Sequence, residues 1–385
     1  MIYLDNAATT PVSPAVMEAM LPYFTEHYAN PGSVHFASAP VIEAIERARA
    51  AVAAPIWADP ENIIFTSGGS EANNLALFGL ARHLADKGKY HVVMSNVEHP
   101  SVLNCAQPLY ERFGIEVSFA NVSDDGIVHL ESVLEQVTDR TGLVSVMGVN
   151  NETGAVNPIR QIGASCREHG ILFHTDCVQA YGNIDIAVDR DCIDFLSVSG
   201  HKFHAPKGIG FLYARDKSIL DPLIYGGGQE DGMRSGTENV PGIVGIGAAA
   251  LELSYFQMSA NGARYRRLQQ IFLDKIHKLG NTYINGKPYE YGKTLNLRFD
   301  GIDGETLVLL LSGRGVCVSA GSACHSHSAQ PSHVLTAMGL IEDEARSSIR
   351  ISFSDWTTEK EVFAAADELV SAVETLRRYG GTFDD

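Results

Sequence analysis

Between about residue 60 and residue 215, short apolar runs alternate with amphipathic stretches. NIIFTS, HVVMSN, IEVSFA, GLVSVMGV, GILFHTD, CIDFLSVS and GIGFLYA each fit a strand buried on both faces. Between several of them lie helix-like segments, EANNLALFGLARHLADKG, VLNCAQPLYERFG and IRQIGASCREHG. Strand followed by helix, repeated, predicts an α/β fold with a mostly parallel seven-stranded sheet covered on both faces. After GGGQEDGMRSGTENVPG the character changes. A helical stretch over about 241–279 leads to NLRFD, a polar Gly/Ser/His loop at 319–333, SIRISF and a helix near 358–378. That pattern predicts a smaller α+β domain, with the first dozen residues packed against it. The expected division is 13–256 for the large domain, and 1–12 with 257–385 for the small one.

Composition narrows the function classes. Apolar residues make up 45% and charged residues 19%, an ordinary globular balance. The formal charge of −17 argues against nucleic acid and anionic membranes as partners. The start MIYLDNAATTP lacks the basic and apolar regions of a secretory signal, and no apolar run approaches the roughly 20 residues of a membrane span. Cys105, Cys166, Cys177, Cys192, Cys317 and Cys324 show no CxxC spacing. They point away from a disulfide framework or a zinc site and toward a reducing, cytoplasmic setting.

Ligands of parallel sheets sit beyond the carboxyl ends of the strands, and five such ends carry suggestive residues. Lys202 follows FLSVS inside a Gly/Ser/His turn, where its amine can form a Schiff base with an aldehyde cofactor. A solvated loop lysine is the plainer reading of that residue alone. Asp176 ends GILFHTD; a buried carboxylate needs a partner, and a pyridinium nitrogen is a suitable one. A helix N-cap is its simpler alternative. Gln179 can face the same place and bond a ring hydroxyl. Gly68, Gly69 and Ser70, between a strand and a helix, leave backbone N–H groups free for a phosphate. His99 in NVEHPS can stack on a flat ring, and Asn151 in VNNETG can reach its hydroxyl. Together they suit one flat, phosphorylated, aldehyde-bearing ligand.

The order and spacing of LDNAATTP, TSGGSEANN, EHPS, VNNETG, HTDCVQ, SGHKFHAPKGIG, GGGQEDGMRSGTEN, SAGSAC and SSIRIS resemble the cysteine desulfurases of the NifS/IscS type, from residue 2 to about 378. The resemblance implies the fold-type I architecture of pyridoxal 5'-phosphate (PLP) transferases and a homodimer with sites at the subunit boundary. It makes Lys202 the Schiff-base lysine, Asp176 the partner of the pyridine nitrogen and His99 the stacking residue. Asn151 and Gln179 fall on the ring-hydroxyl side. Gly69, Ser70, Ser199 and His201 become the phosphate cradle, joined by Thr237 of the second subunit. Arg350, with Asn151, becomes the site for the substrate carboxylate, a task for which a guanidinium fork is suited.

Cys324 lies among small and polar residues, in VSAGSACHSHSAQPSHV, with no evident packing duty. Free cysteines are usually buried and inert, which fits Cys105 and Cys166 better. The resemblance implies that L-cysteine is converted to L-alanine. Lys202 would take the α-proton, His99 would assist proton movement, and the Cys324 thiolate would attack the substrate sulfur. The resulting persulfide would pass to an acceptor protein, such as an iron–sulfur scaffold. A selenocysteine lyase or related PLP-dependent C–S lyase is the nearest alternative, followed by an aminotransferase and by a subunit that only binds a partner. Three features depart from the family pattern. His325 and His327 flank Cys324, Asp231 stands where an arginine is common, and the tail YGGTFDD is short and acidic.

Overall fold

Successive residues of a strand face opposite sides of its sheet, and that alternation sets up the cores of this protein. The computed structural model describes residues 1–253, 255–287, 291–320 and 331–379. Strand β1 (Ile2–Tyr3) is followed by β2 (Ile63–Thr66), β3 (His91–Ser95), β4 (Glu116–Ala120), β5 (Thr141–Ser145), β6 (Leu172–Asp176), β7 (Phe195–Ser199) and β8 (Gly210–Ala214). Among the described residues, β2 to β8 form one seven-stranded sheet in the order β2-β8-β7-β6-β5-β3-β4. All pairings are parallel except those of β8 with β2 and β7. These strands are the seven apolar runs of the sequence.

Phe65, Val93, Val144, Leu196 and Phe211 enter a core on one face of the sheet. Their neighbours Ile64, Val92, Leu143, Phe195 and Leu212 enter a core on the other. The near-continuous apolar character of the other runs is therefore a consequence of being covered; the edge strand β4 departs from that expectation, with Glu116 and Phe119 exposed. The helices Ala39–Ala53 and Val240–Leu251 contribute to the first core, and Gly69–Gly79 with Ala81–Asp86 to the second.

A smaller sheet is built from β9 (Thr282–Ile284), β10 (Thr294–Phe299), β12 (Ser319–Ala320) and β13 (Ser348–Ser352), in the order β12-β13-β10-β9. Strand β11 (Val316–Cys317) pairs in parallel with β1, and Leu4 joins the apolar cluster of this part of the chain. Leu295, Leu297 and Phe299 of β10 and Ile349 and Ile351 of β13 fill that cluster, with Leu307, Leu311, Leu369 and Val373 from helices. Each such side chain contributes about 1.5–3 kcal/mol on burial. A one-residue slip of β13 would expel Ile349 and Ile351 and force Arg350 into the apolar core. The register thus aims Arg350 at the opposite face.

The helix expected over 241–279 is two helices, Val240–Leu251 and Tyr255–Ile276. The first closes with short-range bonds, Glu252 N to Ala249 O at 3.2 Å and Leu253 N to Ala250 O at 3.0 Å, and Leu253 then packs against Gly182. Two other helical stretches are likewise divided, into Gly69–Gly79 and Ala81–Asp86, and into Pro100–Leu103 and Ala106–Phe113. Among the described residues, no helix is long and apolar enough to cross a membrane.

Candidate active site

Strands β2, β3, β5, β6 and β7 point the same way, so the segments after them gather at one edge of the main sheet. A cavity of about 340 Å³ opens there. Lys202 closes a 3₁₀ turn, Gly200–Lys202, immediately after β7. Its Nζ donates to Ala7 O at 2.7 Å and Ala8 O at 2.8 Å, which ties the N-terminal segment to the sheet edge. Asp176 is the last residue of β6 and is buried. Its Oδ1 accepts from Val178 N at 2.9 Å and its Oδ2 from Asn73 Nδ2 at 2.7 Å. The chain after Asp176 makes turns instead of a helix, so the N-cap alternative is set aside.

Gly68 caps the helix Gly69–Gly79 with φ of 154°. A Cβ on Gly69 would lie 2.7 Å from Val178 Cγ2, so only glycine lets this helix start so close to the turn after β6. Gly69 and Ser70 open the helix beside Ser199 and His201, and all four line the cavity. Burial, with the Lys202 and Lys207 charges adding to it, pushes His201 down to about 4. That imidazole is therefore neutral near pH 7, with Nδ1 3.1 Å from Thr9 Oγ1.

Arg350 comes from β13 on the smaller sheet and is only 3% exposed. Its Nη2 donates to Asp5 Oδ1 at 2.8 Å and its Nη1 to Asn151 O at 3.1 Å. Gln179 Nε2 donates to Ala7 O at 2.9 Å. His99 caps the helix Pro100–Leu103, its ring accepting from Ser101 N. Asn151, Gln179, His99, Lys202 and Arg350 all line the same cavity.

Two buried acids support this edge. Burial pushes the Glu98 carboxyl up to about 8, with the Asp176 charge acting the same way, against hydrogen bonds from Ser95 Oγ at 2.6 Å and Met147 N at 2.7 Å. Burial also raises Glu152, to about 7, although Ser332 Oγ and the Arg350 charge oppose it.

Of the site residues the resemblance implies, Thr237 is the described one that stays outside the cavity, and it is exposed; Gly68, read from the sequence as part of the phosphate turn, does not line the cavity either. Cys324, His325 and His327 lie outside the described residues, as does the tail beyond Tyr379. Asp231 forms an ion pair with Lys217, Oδ2 to Nζ at 2.8 Å. The adjoining Glu230 is buried on Arg49, with two contacts of 2.9 Å. The sequence reading missed Ala7, Ala8, Asn73, Ser101, Met147 and Val178, which also line the cavity. Asn73 and Ser101 stand within the SEANN and EHPS motifs, so their signal was present but carried no individual chemistry.

A basic amine, a buried acid and a glycine-opened helix thus stand around one cavity at the edge of a mostly parallel sheet. The family model for aminotransferase class-V matches residues 2–364, and the chain belongs to this family. A cysteine desulfurase IscS from Rickettsia felis is 46% identical over 381 residues, which span 98% of this chain and 92% of that protein. Among solved structures, a NifS-like protein superimposes with a TM-score of 0.89 at 36% identity, covering 98% of this chain and 99% of that one. A structure of SspA in complex with cysteine superimposes with a TM-score of 0.81 at 40% identity, covering 93% and 100% respectively.

Proposed function

We propose that this chain is a PLP-dependent cysteine desulfurase that converts L-cysteine to L-alanine and leaves the sulfur as a persulfide on Cys324. The observation that carries the reading is the convergence of Lys202, Asp176 and Arg350, from three separate elements, on one cavity. The likeness to proteins named cysteine desulfurase over 98% of the chain supports it.

The residues present fit the cofactor. Asp176 is buried and anchored by two donors, which suits a carboxylate facing a ring nitrogen. Lys202 offers the amine for an aldehyde. Gly69 and Ser70 offer backbone N–H groups at the start of an 11-residue helix, with Ser199 and His201 beside them. Asn151 and Gln179 would hold the ring hydroxyl, and His99 would lie over the ring. When bound, PLP supplies an electron sink for negative charge at the substrate α-carbon.

Arg350 would fix the substrate carboxylate with the N–H groups not used by Asp5 and Asn151, which orients the α-carbon toward Lys202. The Lys202 amine would then remove the α-proton. By likeness to the family, the Cys324 thiolate attacks the substrate Sγ. The Cβ–Sγ bond breaks with its electron pair left on carbon, a new S–S bond forms on the enzyme, and alanine leaves once Cβ and Cα have each taken a proton.

The same reading includes a homodimer, with Thr237 crossing to the partner's phosphate site. Its exposure outside the cavity of its own chain supports that role. It also includes a sulfur-acceptor protein, such as an iron–sulfur scaffold, and a cytoplasmic setting. The latter is supported by five free thiols among the described residues. The division into 13–256 and 1–12 with 257–385 is part of the proposal, supported by the pairing of β1 with β11. The test is Cys324→Ser. The variant should keep the absorbance of the bound cofactor and lose sulfide release from cysteine in the presence of a thiol; undiminished release would overturn the role of Cys324. Turnover of selenocysteine beside cysteine separates this reading from a selenocysteine lyase.

A further inference from the structure

We propose that Asn73 and Ser101 are positioning residues that hold His99 as the neutral tautomer with its proton on Nε2, through a hydrogen-bond chain beginning at Asp176. The inference deepens the desulfurase reading above and rests on it for the reaction, though not for the state of the ring.

Asn73 is 1% exposed, and its Nδ2 makes both bonds of the chain, to Asp176 Oδ2 at 2.7 Å and to Ser101 Oγ at 2.9 Å. The orientation of the amide follows from that contact, since a flipped Asn73 would set its carbonyl oxygen against a carboxylate oxygen. Its Oδ1 is buried and has no partner among the described residues, so the residue is held by its two donors. Having accepted from Asn73, Ser101 Oγ has its own proton to give, and His99 Nδ1 lies 2.8 Å away. The Ser101 backbone N–H points at the same nitrogen, 3.1 Å away.

Nδ1 therefore faces two donors and can only accept. A proton on Nδ1 would meet the backbone N–H head-on, which disfavours both the imidazolium and the other neutral tautomer. The ring proton stays on Nε2. With its proton on Nε2, His99 would meet the reacting groups as a neutral hydrogen-bond donor, which narrows the proton role expected of it from the sequence. A neutral imidazole at a helix N-terminus can serve as an electrophile in this way. The chain also joins the two side chains assigned to the cofactor, Asp176 and His99, through Asn73 and Ser101.

The test uses holoenzyme labelled with ¹⁵N-histidine, with His99→Gln identifying the signals of His99. The wild-type signals should show an unprotonated Nδ1 and a protonated Nε2 from about pH 6 to 8, where an unperturbed imidazole titrates. A protonated Nδ1 anywhere in that range overturns the proposal. Ser101→Ala should lower kcat for alanine formation by about 10- to 100-fold, with KM changed less than about threefold and cofactor absorbance retained. Ser101→Thr, which keeps the hydroxyl, should restore most of the loss. Unchanged kcat in Ser101→Ala also overturns the proposal. If Ser101→Ala fails to fold, the wild-type spectrum decides alone. If cysteine yields no alanine while the spectrum is as expected, the desulfurase reading fails and the tautomer assignment stands.

Discussion

Arg350→Lys isolates the contribution of a two-pronged carboxylate contact. In the protein Arg350 is buried and holds Asp5 through Nη2 at 2.8 Å. Lysine keeps a positive charge for Asp5, so the packing of β13 should survive. It cannot present two parallel N–H groups to a carboxylate as well. Hydrogen bonds to a charged group are worth about 1.5–3 kcal/mol each, and the substitution removes one. At about 1.4 kcal/mol per decade, kcat/KM for cysteine should fall about 10- to 150-fold. The assay is steady-state alanine formation by holoenzyme, with cofactor content and thermal midpoint measured alongside. Inhibition by L-alanine should weaken by a similar factor, because product and substrate share the carboxylate. A kcat/KM within about threefold of wild type, in a folded and cofactor-loaded variant, would refute the assignment.

Three further outcomes follow from the same geometry. Lys202→Ala should lose the absorbance of lysine-bound cofactor together with alanine formation, and retention of both would contradict its role. Glu98, raised to about 8 by burial, keeps in the folded state a proton that the unfolded chain gives up near 4.5. Its contribution is therefore complete below about pH 4.5 and is lost as pH rises toward 8. Glu98→Gln keeps an acceptor for Ser95 and Met147, and its melting temperature should decline less between about pH 5 and 8 than that of wild type; an equal decline would oppose this account. Arg49→Ala leaves Glu230 buried without its cation, where the pair now has side-chain exposures of 13% and 5%. Its stability in denaturant titrations should drop by about 3–5 kcal/mol, and a loss under about 1 kcal/mol would contradict a structural role for the pair.

The main sheet was legible because its strands, apart from the edge strand β4, are buried and so read as apolar runs. Strand ends carrying Lys202 and Asp176 could then be ranked as site residues from position and chemistry. Arg350 needed the family resemblance as well, because its strand belongs to another sheet and its direction depends on Ile349 and Ile351 filling a separate core. Asn73 and Ser101 were missed for a different reason. An asparagine in a helix and a serine in a helical turn are ordinary residues, and only the distances linking them to Asp176 and His99 give them a task. The division of the helix expected over 241–279 has no signal in the local pattern, whereas the structure ends its first part at Leu251 and sets Leu253 against Gly182, a tertiary contact. Thr237, exposed and outside the cavity, is tied to the site only through the proposed second subunit. The Asp231 departure has a local answer in Lys217, and its carboxyl is held below the usual range by that lysine's hydrogen bond and charge.

Mass spectrometry of holoenzyme after addition of L-cysteine, with alanine quantified in the same sample, tests the central claim most directly. The account predicts one added sulfur on the peptide containing Cys324 and alanine in equal amount. Alanine without that modification, or neither product, would contradict it.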